Sequence, residues 1–181
     1  MKKFVGVMGL ASAGLLTGCV NAYENLMTPA LLDRASGDNT SVVVEAPICP
    51  DLQARGRDAY AGFVALPEAS DALEMSVTVG GRASLSDCLD FDGYVSINPD
   101  LGFGVFEGAQ TISVVAETTV DSVILVRSPT GKLSVSGAQG ASNTAELVIE
   151  GRDPGTYLLW VGTQDQDAAF DSEAIVSIKA E

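Results

Sequence analysis

Histidine is absent from this 181-residue sequence, and basic residues are scarce, with ten Lys and Arg against 24 Asp and Glu. Without an imidazole there is no Ser-His-Asp or Cys-His catalysis, no HExxH zinc site and no haem held by histidine. A formal net charge of −14 repels phosphates and leaves no basic patch. Nucleic acid is thereby excluded as a partner, and anionic membrane surfaces are disfavoured. Charged residues make up only 19% of the chain and hydrophobic ones 46%, so most of it has enough apolar surface to fold, at a length that suits one domain. The chemistry left open is that of carboxylates and hydroxyls: a carboxylate pair for glycoside hydrolysis, or a Ser-Lys arrangement. Lys132 has Ser128, Ser134 and Ser136 nearby, but in no recognised catalytic spacing.

Long apolar runs are also missing. Met1-Lys2-Lys3 is a short basic start, followed by an apolar stretch from Phe4 to Leu16 that is well short of the ~20 residues a membrane-spanning helix needs. Its length suits the core of a signal peptide, residues 1–18. The run ends in Leu16-Thr17-Gly18-Cys19, which resembles the lipobox of bacterial lipoproteins. The resemblance implies cleavage before Cys19 and a diacylglycerol on its thiol, which makes the membrane a partner through the anchor. Several acyl chains, at about 0.8 kcal/mol per buried methylene, hold such a chain stably. Val20 rather than aspartate after the cysteine favours the outer membrane. Loss of residues 1–18, which carry two lysines and no acid, leaves 8 basic against 24 acidic residues and a net charge of −16.

Three cysteines is an odd number for an exported chain, and acylation of Cys19 resolves it. Cys49 and Cys88 remain, and in an oxidising compartment they most simply form a disulfide closing a loop of about 40 residues. The alternative, a reactive or metal-binding thiol pair, has neither histidine nor a third thiol to complete a zinc site.

Residues 19–40 read as a lipidated tether with Pro29 and the turn-forming run Ala35-Ser36-Gly37-Asp38-Asn39-Thr40. From residue 41 to the end the texture is one of short β-branched runs broken by Gly, Pro, Asp and Asn. Strands are expected at Val42–Val44, Asp58–Leu66, Leu73–Val79, Gly93–Ile97, Ala109–Ala116, Ser122–Val126, Lys132–Ser136, Ala145–Ile149, Thr156–Gly162 and Ala174–Lys179. Gly80-Gly81 signals a hairpin returning through Ala83–Leu85, and Ser128-Pro129-Thr130-Gly131 a type I turn. Nine or ten strands with no amphipathic helix after the tether predict an all-β antiparallel sandwich or jelly roll.

Within that domain, Gly93 to Ile178 resembles the bacterial pre-peptidase C-terminal domain, a β-sandwich module of secreted proteins. The matching pieces, starting at about residue 92, are Asp92-Gly93-Tyr94 and Glu107-Gly108-Ala109-Gln110-Thr111-Ile112-Ser113-Val114. After them come Asp121-Ser122-Val123-Ile124-Leu125-Val126 with Pro129 and Gly131, and Asp153-Pro154-Gly155-Thr156-Tyr157-Leu158-Leu159-Trp160-Val161. The resemblance implies an accessory role beside secreted or cell-surface proteins, with no reaction of its own. In this motif Gly155 supplies the turn, Tyr157 enters an inner strand with its hydroxyl capping a corner, and Asp121 precedes a buried strand where a carboxylate can pin backbone amides. Trp160 belongs to the same inner strand.

Two acidic clusters complete the candidates: Asp87, Asp90 and Asp92 in one loop, and Asp165, Asp167 and Asp171 in another. Alternating loop oxygens suit calcium, a hard cation that takes six to eight of them. The first cluster, however, has no acid at the twelfth loop position, where Asn98 and Leu101 stand instead. Loop aspartates also favour turns without any ion. The reading that results is a non-catalytic envelope lipoprotein whose β-sandwich binds or assembles with an envelope or secreted protein, with no cofactor required. Its rivals are a carbohydrate-binding or adhesive module, which wants Trp160 or tyrosines lining a groove, a small envelope hydrolase with convergent paired carboxylates, and a purely structural envelope protein.

Overall fold

The computed structural model describes residues 46–66, 72–105, 111–139, 142–151, 153–168 and 172–180. The signal segment, Cys19, the tether, Val42–Val44, Glu107–Gln110 and Asp171 lie outside the described residues. Eleven strands and one short helix follow in chain order: β1 Phe63–Ala65, β2 Leu73–Thr78, β3 Ala83–Ser84, α1 Leu85–Leu89, β4 Tyr94–Val95, β5 Leu101–Val105, β6 Thr111–Glu117, β7 Ser122–Arg127, β8 Leu133–Gly137, β9 Ala145–Glu150, β10 Gly155–Thr163 and β11 Glu173–Ala180. They form a two-sheet β-sandwich. One sheet runs β2-β11-β6-β9. In the other, β10 pairs β7 along one edge and β5 and β4 along the opposite edge, and β8, β1 and β3 extend it outward.

Period-two patterning explains the first sheet. Met75, Val77 and Val79 point inward while Glu74, Ser76 and Thr78 face solvent, and Ile112, Val114 and Ala116 alternate with exposed or half-buried positions in the same way. These side chains meet Leu101, Phe103, Ile124, Val126, Tyr157, Leu159 and Val161 of the other sheet in the main core. Phe103 and Tyr157 stack there with centroids 5.3 Å apart, an aromatic contact that adds to the area each ring buries.

The second sheet is covered on both faces. Val123, Leu125, Leu158 and Trp160 point away from the main core into a smaller one, formed with Ala54, Ala83, Leu85 and Val95. The segment around Leu52–Ala54 and the helix α1 act as its lid. This is why β7 reads as the unbroken run Ser-Val-Ile-Leu-Val: both sides of the strand are buried. Ser84 caps α1 by accepting a hydrogen bond from the Asp87 amide (3.2 Å), and Asp90 ends the helix in the left-handed conformation.

Four sequence expectations change. The Asp58–Leu66 stretch is a 3-10 turn at Gly56–Asp58 followed by a three-residue β1. The Gly80-Gly81 hairpin is a crossover instead, because β2 pairs β11 while β3 pairs β4 in the other sheet. The strand β5, Leu-Gly-Phe-Gly-Val, was not expected. Its two glycines hide the β signal, and a Cβ on Gly104 would sit 2.8 Å from the Phe63 ring packed over it. Lastly, α1 is a helix where none was expected; at one turn it is too short to show a period in sequence.

Cys49 and Cys88 are bonded across 39 residues of sequence, tying the lid segment to α1 over the smaller core. In the loop-entropy model such a cross-link contributes about 3–4 kcal/mol. The Cys49→Ser/Cys88→Ser double variant is expected to lose stability of that order in urea unfolding. The loss should be the same for the reduced wild-type chain, because in both cases the lid is freed in the unfolded ensemble.

Candidate functional site

The edge of β10 that pairs with β5 is interrupted. β5 accompanies Gly155 to Leu159, and β4 rejoins only at Thr163. Between them Val161 has both main-chain groups facing a gap. Asp100, the residue just before β5, fills one half: its Oδ2 accepts the Val161 amide at 2.7 Å. The other half is filled from the crossover, where the Gly80 amide donates to the Val161 carbonyl at 3.0 Å. The Asp100 backbone is also held, its amide donating to Leu159 and its carbonyl accepting from Ala61. A carboxylate thus replaces the missing strand, since a buried amide without an acceptor is costly.

Asp100 is only 4% exposed. Burial pushes its pKa up from 3.8 to about 7, against the opposing hydrogen bonds from Val161 and Ser96. The geometry agrees with a protonated carboxyl near neutrality. The single Ser96 hydroxyl hydrogen lies between two acceptors, the Asn98 carbonyl at 2.6 Å and Asp100 Oδ1 at 3.0 Å. If the hydroxyl serves the shorter contact, a protonated Asp100 can donate to Ser96 Oγ and complete the chain of bonds.

Asp100 also lines a cleft of about 470 Å3 between the sheets, bounded by Tyr60, Ala61 and Ser96 on one side and by Ser76, Val77, Thr78 and Gly80 on the other. That volume is in the range of ligand clefts. Tyr60 is 67% exposed at its rim, with its amide fixed to the Pro99 carbonyl (3.0 Å). Among the described residues no second carboxylate and no cation lines this cleft, so it offers one acid, two serine hydroxyls, one threonine hydroxyl and one aromatic ring. Glycoside hydrolysis by paired carboxylates requires two acids about 5–10 Å apart.

The residues singled out in the sequence lie elsewhere. Trp160 is fully buried in the smaller core, its ring nitrogen 3.4 Å from the Ile97 carbonyl, so it lines no groove and the exposed aromatic at the cleft is Tyr60. Tyr157 donates its hydroxyl to the Asp153 carbonyl at 2.9 Å, across the turn where Gly155 adopts a positive φ of 138°. Asp121 is exposed, and its main-chain carbonyl rather than its carboxylate makes the bond, accepting from the Gln164 amide at 3.0 Å. Asp87 lies in the first turn of α1, Asp90 caps its end, and Asp92 is exposed beyond it. Asp165 Oδ1 accepts the Asp167 amide in a local turn. Among the described residues no three acids or thiols come together as a metal-ligand set. Asp100 and Tyr60 were not singled out in the sequence. The available signal was an acid with a serine four residues earlier, directly before an apolar run.

No family model matches the chain, and no curated protein matches it. Solved structures do. The pre-peptidase C-terminal domain of a collagenase from Bacillus anthracis is 15% identical at a TM-score of 0.37, over 66% of this chain and 94% of that one. A periplasmic inhibitor of g-type lysozyme from Aeromonas hydrophila is 11% identical at 0.36, over 66% and 96%.

Because the folded state keeps a proton on Asp100 that the unfolded chain releases from about pH 4 upward, folding takes up a proton between about pH 4 and 7. Stability from this group is complete below that window and lost as pH rises through 7. Asp100→Asn keeps the Val161 bond and can donate to Ser96 without titrating. The difference in unfolding free energy between wild type and variant is expected to change by up to about 1.4 kcal/mol per pH unit across the window and to be flat above it. Asp100→Ala, which orphans the Val161 amide, is expected to be about 1–3 kcal/mol less stable than Asp100→Asn at every pH, since neither variant titrates there. Denaturant titrations at pH 4 to 8 read both.

Proposed function

We propose that this protein is a lipid-anchored envelope module that binds a protein partner through the cleft beside Tyr60 and Asp100, and that it works as an accessory rather than a catalyst. The observation that carries the binding role is the cleft itself. It is open to solvent and rimmed by a highly exposed tyrosine, while the tryptophan and the inner tyrosine are consumed by packing. One buried acid with satisfied hydrogen bonds suits a wall of a binding site better than an acid–base pair.

The anchor rests on the basic start, the apolar core and the Leu-Thr-Gly-Cys run ending at Cys19. An exported location agrees with the Cys49–Cys88 disulfide, a cross-link that persists in oxidising compartments. Outer-membrane placement rests on Val20 alone. Among the described residues no helix is long and apolar enough to cross a membrane. The accessory role follows the resemblance of Gly93–Ile178 to the pre-peptidase C-terminal domain. No cofactor is assigned: Asp87 and Asp90 serve the two ends of α1, and Asp165 shapes a local turn with Asp167.

Two experiments in the native host test this reading. Growth with an alkyne-tagged fatty acid is expected to label the wild-type protein and not Cys19→Ala. A photo-crosslinking amino acid at position 60 is expected to trap a defined envelope or secreted protein, whereas the same group at Val148, exposed on β9 at the opposite border of the sheet that holds β2, is not. Equal crosslinking from both positions, or none from position 60, overturns the binding role. Labelling that survives Cys19→Ala overturns the anchor.

A further inference from the structure

The strand that forms one wall of the cleft is an open sheet edge. Among the described residues β2 borders its sheet and pairs only with β11. The Val79 amide donates to the Ser172 carbonyl at 2.9 Å, which sets the alternation: Leu73, Met75 and Val77 also bond toward β11. The amides and carbonyls of Glu74, Ser76 and Thr78 therefore point the other way. Among the described residues none of them has a main-chain partner. They repeat at about 6.8 Å, two residues along the strand, which is the spacing of an incoming extended chain. Of the devices that blunt such an edge, β2 contains no proline or lysine, and its register with β11 shows no bulge. The opposite border of the sheet, β9, lies beside β8.

Charge indicates what would fit. The edge carries Glu74, and Glu173 sits beside it with its carboxylate 3.5 Å from the Ser76 hydroxyl. The cleft behind the edge holds Asp100 and no cation among the described residues, and the chain as a whole carries −14. A second copy would bring the same negative charge to the same edge. An extended basic segment complements it. Its alternate side chains would lie outward along Glu74 and Glu173, and the residues between them would enter the cleft toward Ser96 and the Tyr60 ring, whose face also accepts a cation.

We propose that the free edge of β2 takes up an extended, basic segment of a partner polypeptide as an added strand, with the Tyr60 cleft receiving its inward side chains. This rests on the binding role above and specifies its chemistry.

The probe is a synthetic octapeptide alternating lysine and valine, added to the full chain in detergent. Three controls accompany it: the same peptide with glutamate for lysine, the lysine peptide N-methylated at alternate residues, and the protein variant Ser76→Pro. The Ser76 amide faces away from β11, so proline there leaves the ladder of the sheet intact. The expected results are saturable binding of the lysine peptide, slowed hydrogen exchange at the Ser76 and Thr78 amides, and at least tenfold weaker binding with each control. Absence of binding, equal binding of the N-methylated peptide, or unchanged exchange at those amides overturns the proposal. So does protection of the edge that appears without peptide and rises with protein concentration, which would assign it to a second copy. The N-methylated peptide keeps the test decisive should Ser76→Pro fail to fold. If crosslinking from position 60 persists unchanged in Ser76→Pro, the edge mode falls while the binding role stands; if it is absent in the wild type, the binding role falls first.

Discussion

At the centre of the second sheet, the Val161 amide has no strand to bond and takes the carboxyl of Asp100 instead. Much of the molecule is arranged around that substitution. β10 needs it to bridge the space between β5 and β4, and the same residue anchors the loop that leads into β5. Val161 also receives the Gly80 amide, so the crossover from the first sheet is fastened at the same point. A polar group this deep is tolerable only because each of its oxygens has a partner and because it can hold a proton.

The closure of the second sheet on both faces has a different origin. A two-sheet sandwich of this size could leave its outer face to solvent, as the first sheet does with Glu74, Ser76, Thr78, Val115 and Val148. Here Trp160, Leu125 and Leu158 point outward and need cover. The lid that supplies it contributes few large side chains of its own, chiefly Leu52, Leu85 and Leu89. A covalent tie from Cys49 to Cys88 compensates by limiting the freedom of that segment when the chain unfolds. The lid chain then continues to Tyr60, so the disulfide-held segment and the rim of the cleft are one stretch of polypeptide.

Legibility in sequence followed the physics of burial. Strands with one wet face, such as β2 and β6, announce themselves by alternation, and β7 announces itself by unbroken hydrophobicity. The Tyr157 corner was legible because Asp-Pro-Gly constrains the turn that its hydroxyl spans. β5 was not, because glycines at positions 102 and 104 carry no hydrophobic signal even though they are fully buried under Gly56 and Phe63. Gly80-Gly81 has the composition of a hairpin turn, and composition does not say which sheet the next strand joins. The candidate site was the least visible part: Asn98-Pro99-Asp100 reads as an ordinary strand-ending turn, and Tyr60 as one strand residue among several.

By itself the sequence determined the all-β class, most of the strands of the second half and the pairing partners available to the cysteines, along with the absence of imidazole chemistry and the sign of the surface charge. Each of these depends on composition or on neighbours within a few residues, which is the range over which periodicity and turn chemistry act. Only the tertiary structure decided that Trp160 is packed rather than presented, that Asp100 stands in for a strand, and that the outward edge of β2 faces a cleft with Tyr60 opposite. These depend on contacts between residues such as Asp100 and Val161, 61 positions apart, or on which sheet a strand joins after a crossover. No local pattern encodes that choice, because it is set by how both faces of the second sheet come to be buried.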